Sequence, residues 1–279
     1  MAEARPRPGS DRPDPAVLGA LLASVKCVLF DFDGPVCDLF ARRPAPGVAD
    51  LMRARVRKLH PAPTVAPGGP GRIDVPATGD PHALLRALAL GDGVPNDPCG
   101  PDRPGSPHGS YAPAAGSRSR TVAELERLLA AEEVRAAACA EPTPYADELV
   151  QRLHATGHAL AVTTNNAAEA AETYLERRGL AELFRPHVHG RVTEPWLLKP
   201  DPDCLHRALR STGHDAAMAL MIGDSTADLL AARAAGVRFL GYARDETRRR
   251  RLLDAGAELA VTSYRDVLAA LPEGREPAG

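Results

Sequence analysis

Seven polar residues stand where a parallel sheet would bring them together. Asp31 and Asp33 follow the apolar run Val25-Lys26-Cys27-Val28-Leu29-Phe30, Thr164 and Asn165 follow Ala159–Thr163, and Asp224 follows Ala219–Ile222. Asp228 lies one helical turn beyond Asp224, and Lys199 sits in the loop LLKPDPD. In an open α/β sheet, ligands bind beyond the carboxyl ends of the strands, which is where these side chains would converge. Asp31, Asp33 and Asp224 in one pocket would repel each other if all were ionised. A hard divalent cation relieves that repulsion. Carboxylates, a carbonyl oxygen and waters suit Mg²⁺, which commonly binds through one or two carboxylates and a substrate phosphate. Lys199 and the Thr164 hydroxyl add positive charge and a donor, enough to hold a dianionic phosphoryl group and stabilise its transfer. A carboxylate can attack such a group to form an aspartyl-phosphate. A second acid two residues on, turned away by a sharp bend, can protonate the leaving alcohol and later deprotonate the attacking water.

The elements that must position these residues are legible in the apolar pattern. Val25–Phe30 is rich in β-formers and stops on the abrupt turn Asp31-Phe32-Asp33-Gly34-Pro35, the profile of a central parallel strand. From Pro144 onward helices and strands alternate. The pattern predicts helices over Tyr145–Thr156, Ala167–Arg178, Asp201–Ser211, Ala227–Ala235, Glu246–Ala255 and Tyr264–Leu271. Strands are expected at Ala159–Thr163, His187–Arg191, Ala219–Ile222, Val237–Tyr242 and around Val261. This alternation points to a parallel sheet with helices on both faces. A short helix over Pro15–Ser24 precedes the first strand.

Between about Arg42 and Glu141 the character changes. Helical spacing marks Val48–His60, His82–Leu90 and Arg120–Cys139, the last with Thr121 and Glu124 placed as a capping box. Two Pro/Gly stretches, Pro61–Pro81 and Gly91–Gly116, separate them. The second is too poor in apolar residues to order itself, and disorder is the reading preferred over a functional lid. The expected division is a disordered tail over 1–14, a core over 15–41 and 142–271, an inserted helical domain over 42–141, and a tail over 272–279.

Bulk properties narrow the classes. The net charge of −2 leaves no electrostatic footprint for nucleic acid or an anionic membrane. The Arg248–Arg251 run reads as a solvated helix face. No segment approaches the roughly 20 continuous apolar residues that span a bilayer. Five scattered cysteines, odd in number and without metal spacing, fit a reduced compartment. The polar, Pro-rich start has no apolar stretch of signal-peptide length, so a cytoplasmic protein is expected.

The strings DFDGPVCD (31–38), TN (164–165), KP (199–200) and GDSTAD (223–228) resemble, in order, the four motifs of the haloacid dehalogenase-like hydrolase superfamily. Each string alone is weak; four in order on the expected elements are specific. The resemblance covers Lys26–Asp38 and Pro144–Leu271, with the intervening segment in the position of a C1 cap. It implies a Rossmann-like three-layer α/β core with an inserted helical cap, and a general look similar to phosphoglycolate phosphatase-like enzymes. It further implies Asp31 as nucleophile and Asp33 as general acid/base with its carbonyl on the metal. Thr164, with Asn165, would bind phosphoryl oxygens, and Lys199 would steady nucleophile and phosphate. Asp224 would be a Mg²⁺ ligand, and Asp228 either a ligand or a partner of one. Thr163 competes with Thr164, which is preferred because the hydroxyl directly precedes Asn. Pro35 departs from the common DGTL pattern and loses a backbone donor in that turn.

The expected activity is Mg²⁺-dependent hydrolysis of a small-molecule phosphate monoester. A phosphomutase on the same core and a non-catalytic phosphate-binding or regulatory homologue are the alternatives. A dehalogenase is disfavoured because that branch needs neither Asp33 nor a metal. Other residues have plainer readings. His187 and His189 read as surface or loop histidines rather than metal ligands, Cys37 as a small packed residue rather than a redox thiol, and Trp196 as packing beside the Lys199 loop. Arg53, Arg55, Arg57 and Lys58 read as a solvated helix face rather than a substrate-greeting one.

Overall fold

A computed structural model of the chain describes residues 13–60, 75–90 and 117–272. Of the tail expected to be disordered over 1–14, the Pro/Gly stretches Pro61–Pro81 and Gly91–Gly116, and the tail 272–279, residues 1–12, 61–74, 91–116 and 273–279 lie outside the described residues. Within the described part Asp14 accepts the Ala16 amide at 2.8 Å and Pro81 opens a helix.

The chain begins with helix α1 (Pro15–Ala23), strand β1 (Cys27–Phe30) and the two-residue strand β2 (Cys37–Asp38). Helices α2 (Ala45–Leu59), α3 (Pro81–Leu90) and α4 (Ser117–Ala137) follow. Strand β3 (Glu141–Pro142) then pairs antiparallel with β2, closing the base of this helical insert. The remainder alternates: α5 (Ala146–Ala155), β4 (Ala159–Thr163), α6 (Ala168–Arg178), α7 (Ala181–Phe184), β5 (Val188–His189), α8 (Asp203–Thr212), β6 (Ala219–Gly223), α9 (Thr226–Ala235), β7 (Arg238–Tyr242), α10 (Glu246–Asp254), β8 (Leu259–Val261) and α11 (Tyr264–Ala270).

Six strands form one parallel sheet in the order β5-β4-β1-β6-β7-β8. β1 is central, and all four of its residues are buried, as its unbroken apolar run requires. Its side chains divide by the two-residue strand period: Val28 and Phe30 join one apolar cluster, Cys27 and Leu29 another. On the first face Phe30 meets Phe184 edge-on, with ring centroids 6.1 Å apart. The insert has its own apolar cluster, in which Met52 and Val56 of α2 meet Leu84 and Leu85 of α3 and Leu125 and Leu129 of α4. No helix among the described residues is long and apolar enough to cross a membrane.

The expected α/β architecture with an inserted helical segment is therefore present. The capping box at Thr121 is not, because α4 begins at Ser117 and places Thr121 inside the helix. Its hydroxyl lies 2.6 Å from His60 Nε2, and Glu124 accepts a hydrogen bond from Arg55. Both residues tie the insert's helices together instead of starting one.

Candidate active site

The turn after β1 is built by its own backbone. The Asp31 amide donates to Ile222 O at 2.9 Å, carrying β1 one residue further along β6. The amides of Val36 and Cys37 donate to Phe32 O at 3.2 Å, and the Gly34 amide donates to Cys37 O at 2.7 Å. The turn's bonds are thus made by the amides flanking Pro35, whose carbonyl accepts from Tyr264 OH at 3.0 Å. Thr143, just past the insert, donates its hydroxyl to Gly34 O at 2.6 Å. Gly34 has a φ of 113°, and a Cβ there would lie 2.3 Å from Asp224 Oδ2. Only glycine permits that backbone and that approach together.

Lys199 is the centre of the arrangement. Its ammonium donates to Asp31 Oδ1 at 2.7 Å, to Asp228 Oδ1 at 2.5 Å and to Thr163 O at 2.9 Å. Those three acceptors match its three donors. Burial disfavours the charge, but the Asp228 and Asp31 carboxylates outweigh it and hold the ammonium protonated, well above its usual range. Burial in turn pushes the Asp31 carboxyl well up, with Lys199 pulling it back and Asp228 and Asp224 adding to the rise.

Asp228 has both oxygens engaged. While Oδ1 takes Lys199, Oδ2 accepts from the Ser225 hydroxyl at 2.7 Å and from the amides of Ser225 and Asp224 at 3.0 and 3.2 Å. Ser225 and Asp228 form the capping box of α9, so the bonds that start the helix also aim this carboxylate. Gly223 makes room: a Cβ there would sit 2.5 Å from Asp228 Cβ. Asp224 contrasts with it, since its carboxylate accepts no hydrogen bond among the described residues. Burial, then Asp228 and Asp33, push its carboxyl up to about 7. One oxygen from each of Asp31, Asp224 and Asp228 lies within 4.8 Å of the others. A hard set of carboxylate oxygens with one carboxylate left uncompensated fits a divalent cation such as Mg²⁺.

The Asp33 carboxylate stands apart from that group. Its Oδ1 accepts the Leu39 amide at 2.9 Å and lies 3.9 Å from Arg244 Nη2. Burial raises this acid, while the Leu39 amide, Arg244 and His82 pull it down. Thr164 is buried, its hydroxyl donating to Asn166 Oδ1 at 3.0 Å and accepting the Asn166 amide at 3.1 Å. The Asn165 side chain clasps the Lys199 backbone: Oδ1 accepts its amide at 2.8 Å and Nδ2 donates to its carbonyl at 3.4 Å. Thr163 turns its hydroxyl to Met221 Sδ and offers only its carbonyl to Lys199. Arg244, two residues past β7, carries no signal in the sequence, where it is one arginine among many before the Arg248–Arg251 run.

Of the plainer readings, those of Cys37 and the loop residue His187 agree with their surroundings. His189 instead lies on β5 with its Nε2 buried and unpartnered among the described residues, and Arg53 is largely buried rather than on a solvated face. Cys37 is fully buried, and burial pushes its thiol well up, the opposite of a reactive thiolate. His187 Nδ1 faces the Ser211 hydroxyl at 2.5 Å, and burial holds the His189 imidazole down at about 4. Arg53 and Arg55 are tied to Asp50 and Glu124 within the insert. The turn carrying Trp196 packs against α3. The four described cysteines are free thiols.

Fold and site together define an open α/β protein with an acidic, lysine-centred cluster of side chains beyond its strand ends. The model of the haloacid dehalogenase-like hydrolase family matches residues 25–236, and the chain belongs to that family. Phosphoglycolate phosphatase of Rhodospirillum rubrum is 39% identical over 129 residues, covering 45% of this chain and 53% of that protein. Phosphoglycolate phosphatase of Mesorhizobium japonicum is 35% identical over 132 residues, covering 45% and 56%. The chain thus spans about half the length of these curated relatives. Among solved structures, CbbY from Rhodobacter sphaeroides in complex with phosphate shares the fold with a TM-score of 0.57 at 20% identity, over 88% of this chain and 99% of that one.

Two outcomes follow from the packing and the charge. Gly34→Ala is expected to lose about 1–3 kcal/mol of stability in denaturant unfolding, from backbone strain and the collision with Asp224. The Asp224 carboxyl titrates near 7 when folded against an ordinary 3.8. Between those values the folded state binds the extra proton, so Asp224 costs the metal-free protein stability as pH rises through that window. Asp224→Asn in EDTA is expected to melt higher than the parent at pH 8, with the gap closing toward pH 4; a gap independent of pH would contradict this.

Proposed function

We propose that this protein hydrolyses the phosphate monoester of a small molecule through an aspartyl-phosphate on Asp31, with Mg²⁺ as cofactor. The observation that carries the reading is the Lys199 ammonium, 2.7 Å from Asp31 Oδ1 and buried against Asp228. A lysine with all three donors spent on fixed acceptors holds one oxygen of Asp31 in place and leaves Oδ2, which accepts no hydrogen bond among the described residues, to attack phosphorus. The curated relatives named as phosphoglycolate phosphatases support the same reaction class.

In this reading Asp31 Oδ2 forms a bond to phosphorus as the ester oxygen leaves. Asp33 gives that oxygen its proton, a role suited to a carboxyl raised by burial. Asp33 then takes a proton from water as the water oxygen attacks the acyl phosphate, releasing inorganic phosphate and restoring the Asp31 carboxylate. The Thr164 turn and Lys199 supply positive potential toward the phosphoryl oxygens. Asp31 and Asp224 would hold the cation, which when bound offsets the charge between an attacking carboxylate and a phosphate. Asp228, saturated by its own bonds, orients Lys199 and the Asp224 amide and is not itself a ligand. Asn165 acts by holding the Lys199 backbone rather than by touching phosphate. The insert (42–141) is the cap over the core (15–41 and 142–271), and the substrate enters between them.

Turnover of p-nitrophenyl phosphate tests this. Activity is expected with Mg²⁺, with EDTA abolishing it and Asp31→Asn lowering it by about three orders of magnitude or more. Equal turnover under all three conditions would overturn the mechanism.

A further inference from the structure

One buried ion pair joins the insert to the core beside the Thr164 turn, and no step of the reaction above uses it. Glu133 on α4 and Arg191, two residues after β5, both have side chains with 0% exposure. Arg191 grips Glu133 with two parallel bonds, Nη1 to Oε1 and Nη2 to Oε2, each 3.0 Å. Such forked pairs fix direction as well as distance. The same carboxylate accepts Asn166 Nδ2 at 3.1 Å, the Ala167 amide at 2.9 Å and His82 Nε2 from α3 at 2.8 Å. The Ala167 amide opens α6, so the insert's carboxylate sits at the N-terminus of a core helix, where negative charge is favoured.

Arg191 completes the grip from the core. Its Nη1 donates to Asn165 O at 2.7 Å, its own amide donates to Asn166 O at 2.8 Å, and its Nε donates to Glu126 on α4 at 2.8 Å. Burial opposes the Glu133 charge, but Arg191 and His82 outweigh it and hold the carboxyl down at about 2. Asn165, Asn166 and Ala167 are thus each held by Glu133 or Arg191, and Asn166 in turn holds the Thr164 hydroxyl. Cohesion alone is supplied more cheaply by apolar contact, since buried ion pairs are often no more stabilising than well-packed hydrophobic residues. What Glu133 and Arg191 add together is the geometry of three consecutive residues: Arg191 holds the Asn165 and Asn166 carbonyls, and Glu133 the Asn166 side chain and the Ala167 amide.

We propose that Glu133 and Arg191 are positioning residues that make the phosphoryl-binding form of the Thr164–Ala167 turn depend on docking of the insert. The proposal rests on the reading of that turn as a phosphoryl site. With the insert docked, the turn is set; with Glu133 withdrawn, Ala167 N–H and Asn166 Nδ2 lose their acceptor and the turn relaxes.

The test is Glu133→Gln in the full chain, an isosteric change that removes the charge. Hydrogen exchange reads the joint whether or not the protein is a phosphatase. Amides of 164–168 are expected to exchange about tenfold faster or more, with β1 and β6 unchanged, for the loss of a charge-assisted bond. Steady-state turnover of p-nitrophenyl phosphate with Mg²⁺ reads the site: KM and the inhibition constant of inorganic phosphate are expected to rise about tenfold, with kcat nearly unchanged, because binding common to ground and transition states is lost. Unchanged exchange at 164–168, or exchange rising equally in β1 and β6, would overturn the proposal, as would a fall in kcat alone. If the parent protein neither turns over nor binds phosphate, the proposed function fails and the exchange result alone decides the joint. Should Glu133→Gln not fold, Arg191→Lys carries the same two readings. Failure of both to fold would assign the pair to the fold instead of the turn.

Discussion

Everything in the site depends on keeping one ammonium ion buried. Lys199 has been taken out of water and repaid with three acceptors at 2.5–2.9 Å, two of them carboxylates. Removing one partner of such a set leaves an uncompensated charge, so the three acceptors have to arrive together. They come from three strands: Asp31 from the end of β1, Thr163 O from the last residue of β4, and Asp228 from the first turn of the helix after β6. The sheet order places β1 between β4 and β6, and this is why a cation entering from the Lys199 loop can reach all three.

The constraint propagates outward. Lys199 is held by its backbone through Asn165, whose carbonyl is held by Arg191, whose guanidinium is held by Glu133 of the insert. On the other side Asp228 is aimed by the capping box of α9 and packed against a glycine that leaves no room for a side chain. Asp224 lies against Gly34 in the same way, so the turn after β1 and the turn after β6 are pressed together at two carboxylates. Their mutual repulsion is balanced on one side by Lys199 and left open at Asp224, whose carboxyl is pushed up to about 7 by burial, Asp228 and Asp33.

Much of this was legible in the residue order. The strands at Ala159–Thr163 and Ala219–Ile222, with Thr164 and Asn165 after the first and Asp224 after the second, were readable because a buried parallel strand is an unbroken apolar run and its end an abrupt polar one. Asp31, Asp33, Lys199, Asp224 and Asp228 were singled out by chemistry and spacing, and the structure brings Asp31, Lys199, Asp224 and Asp228 into one cluster with Asp33 on its border. What pattern could not convey was the division of labour. That Asp228 is saturated while Asp224 is bare depends on Ser225, and that Asn165 serves Lys199 depends on how the loop folds back across 34 residues. The strands β2 and β3 are two residues each, too short for any periodic signal. Glu133 was invisible because a charged residue on an amphipathic helix reads as solvated, and Arg191 because a lone arginine just past a short strand carries no signal, until each is known to be the other's partner.

The central claim is that Asp31, held by Lys199, becomes covalently phosphorylated. Borohydride reduces an acyl phosphate to the alcohol, so quenching during turnover and reducing would convert the phosphorylated aspartate to homoserine, detectable by peptide mass. The account predicts homoserine at position 31 alone, dependent on substrate and Mg²⁺. Phosphate release with no homoserine at 31, or with homoserine at Asp33 or Asp224, would contradict it.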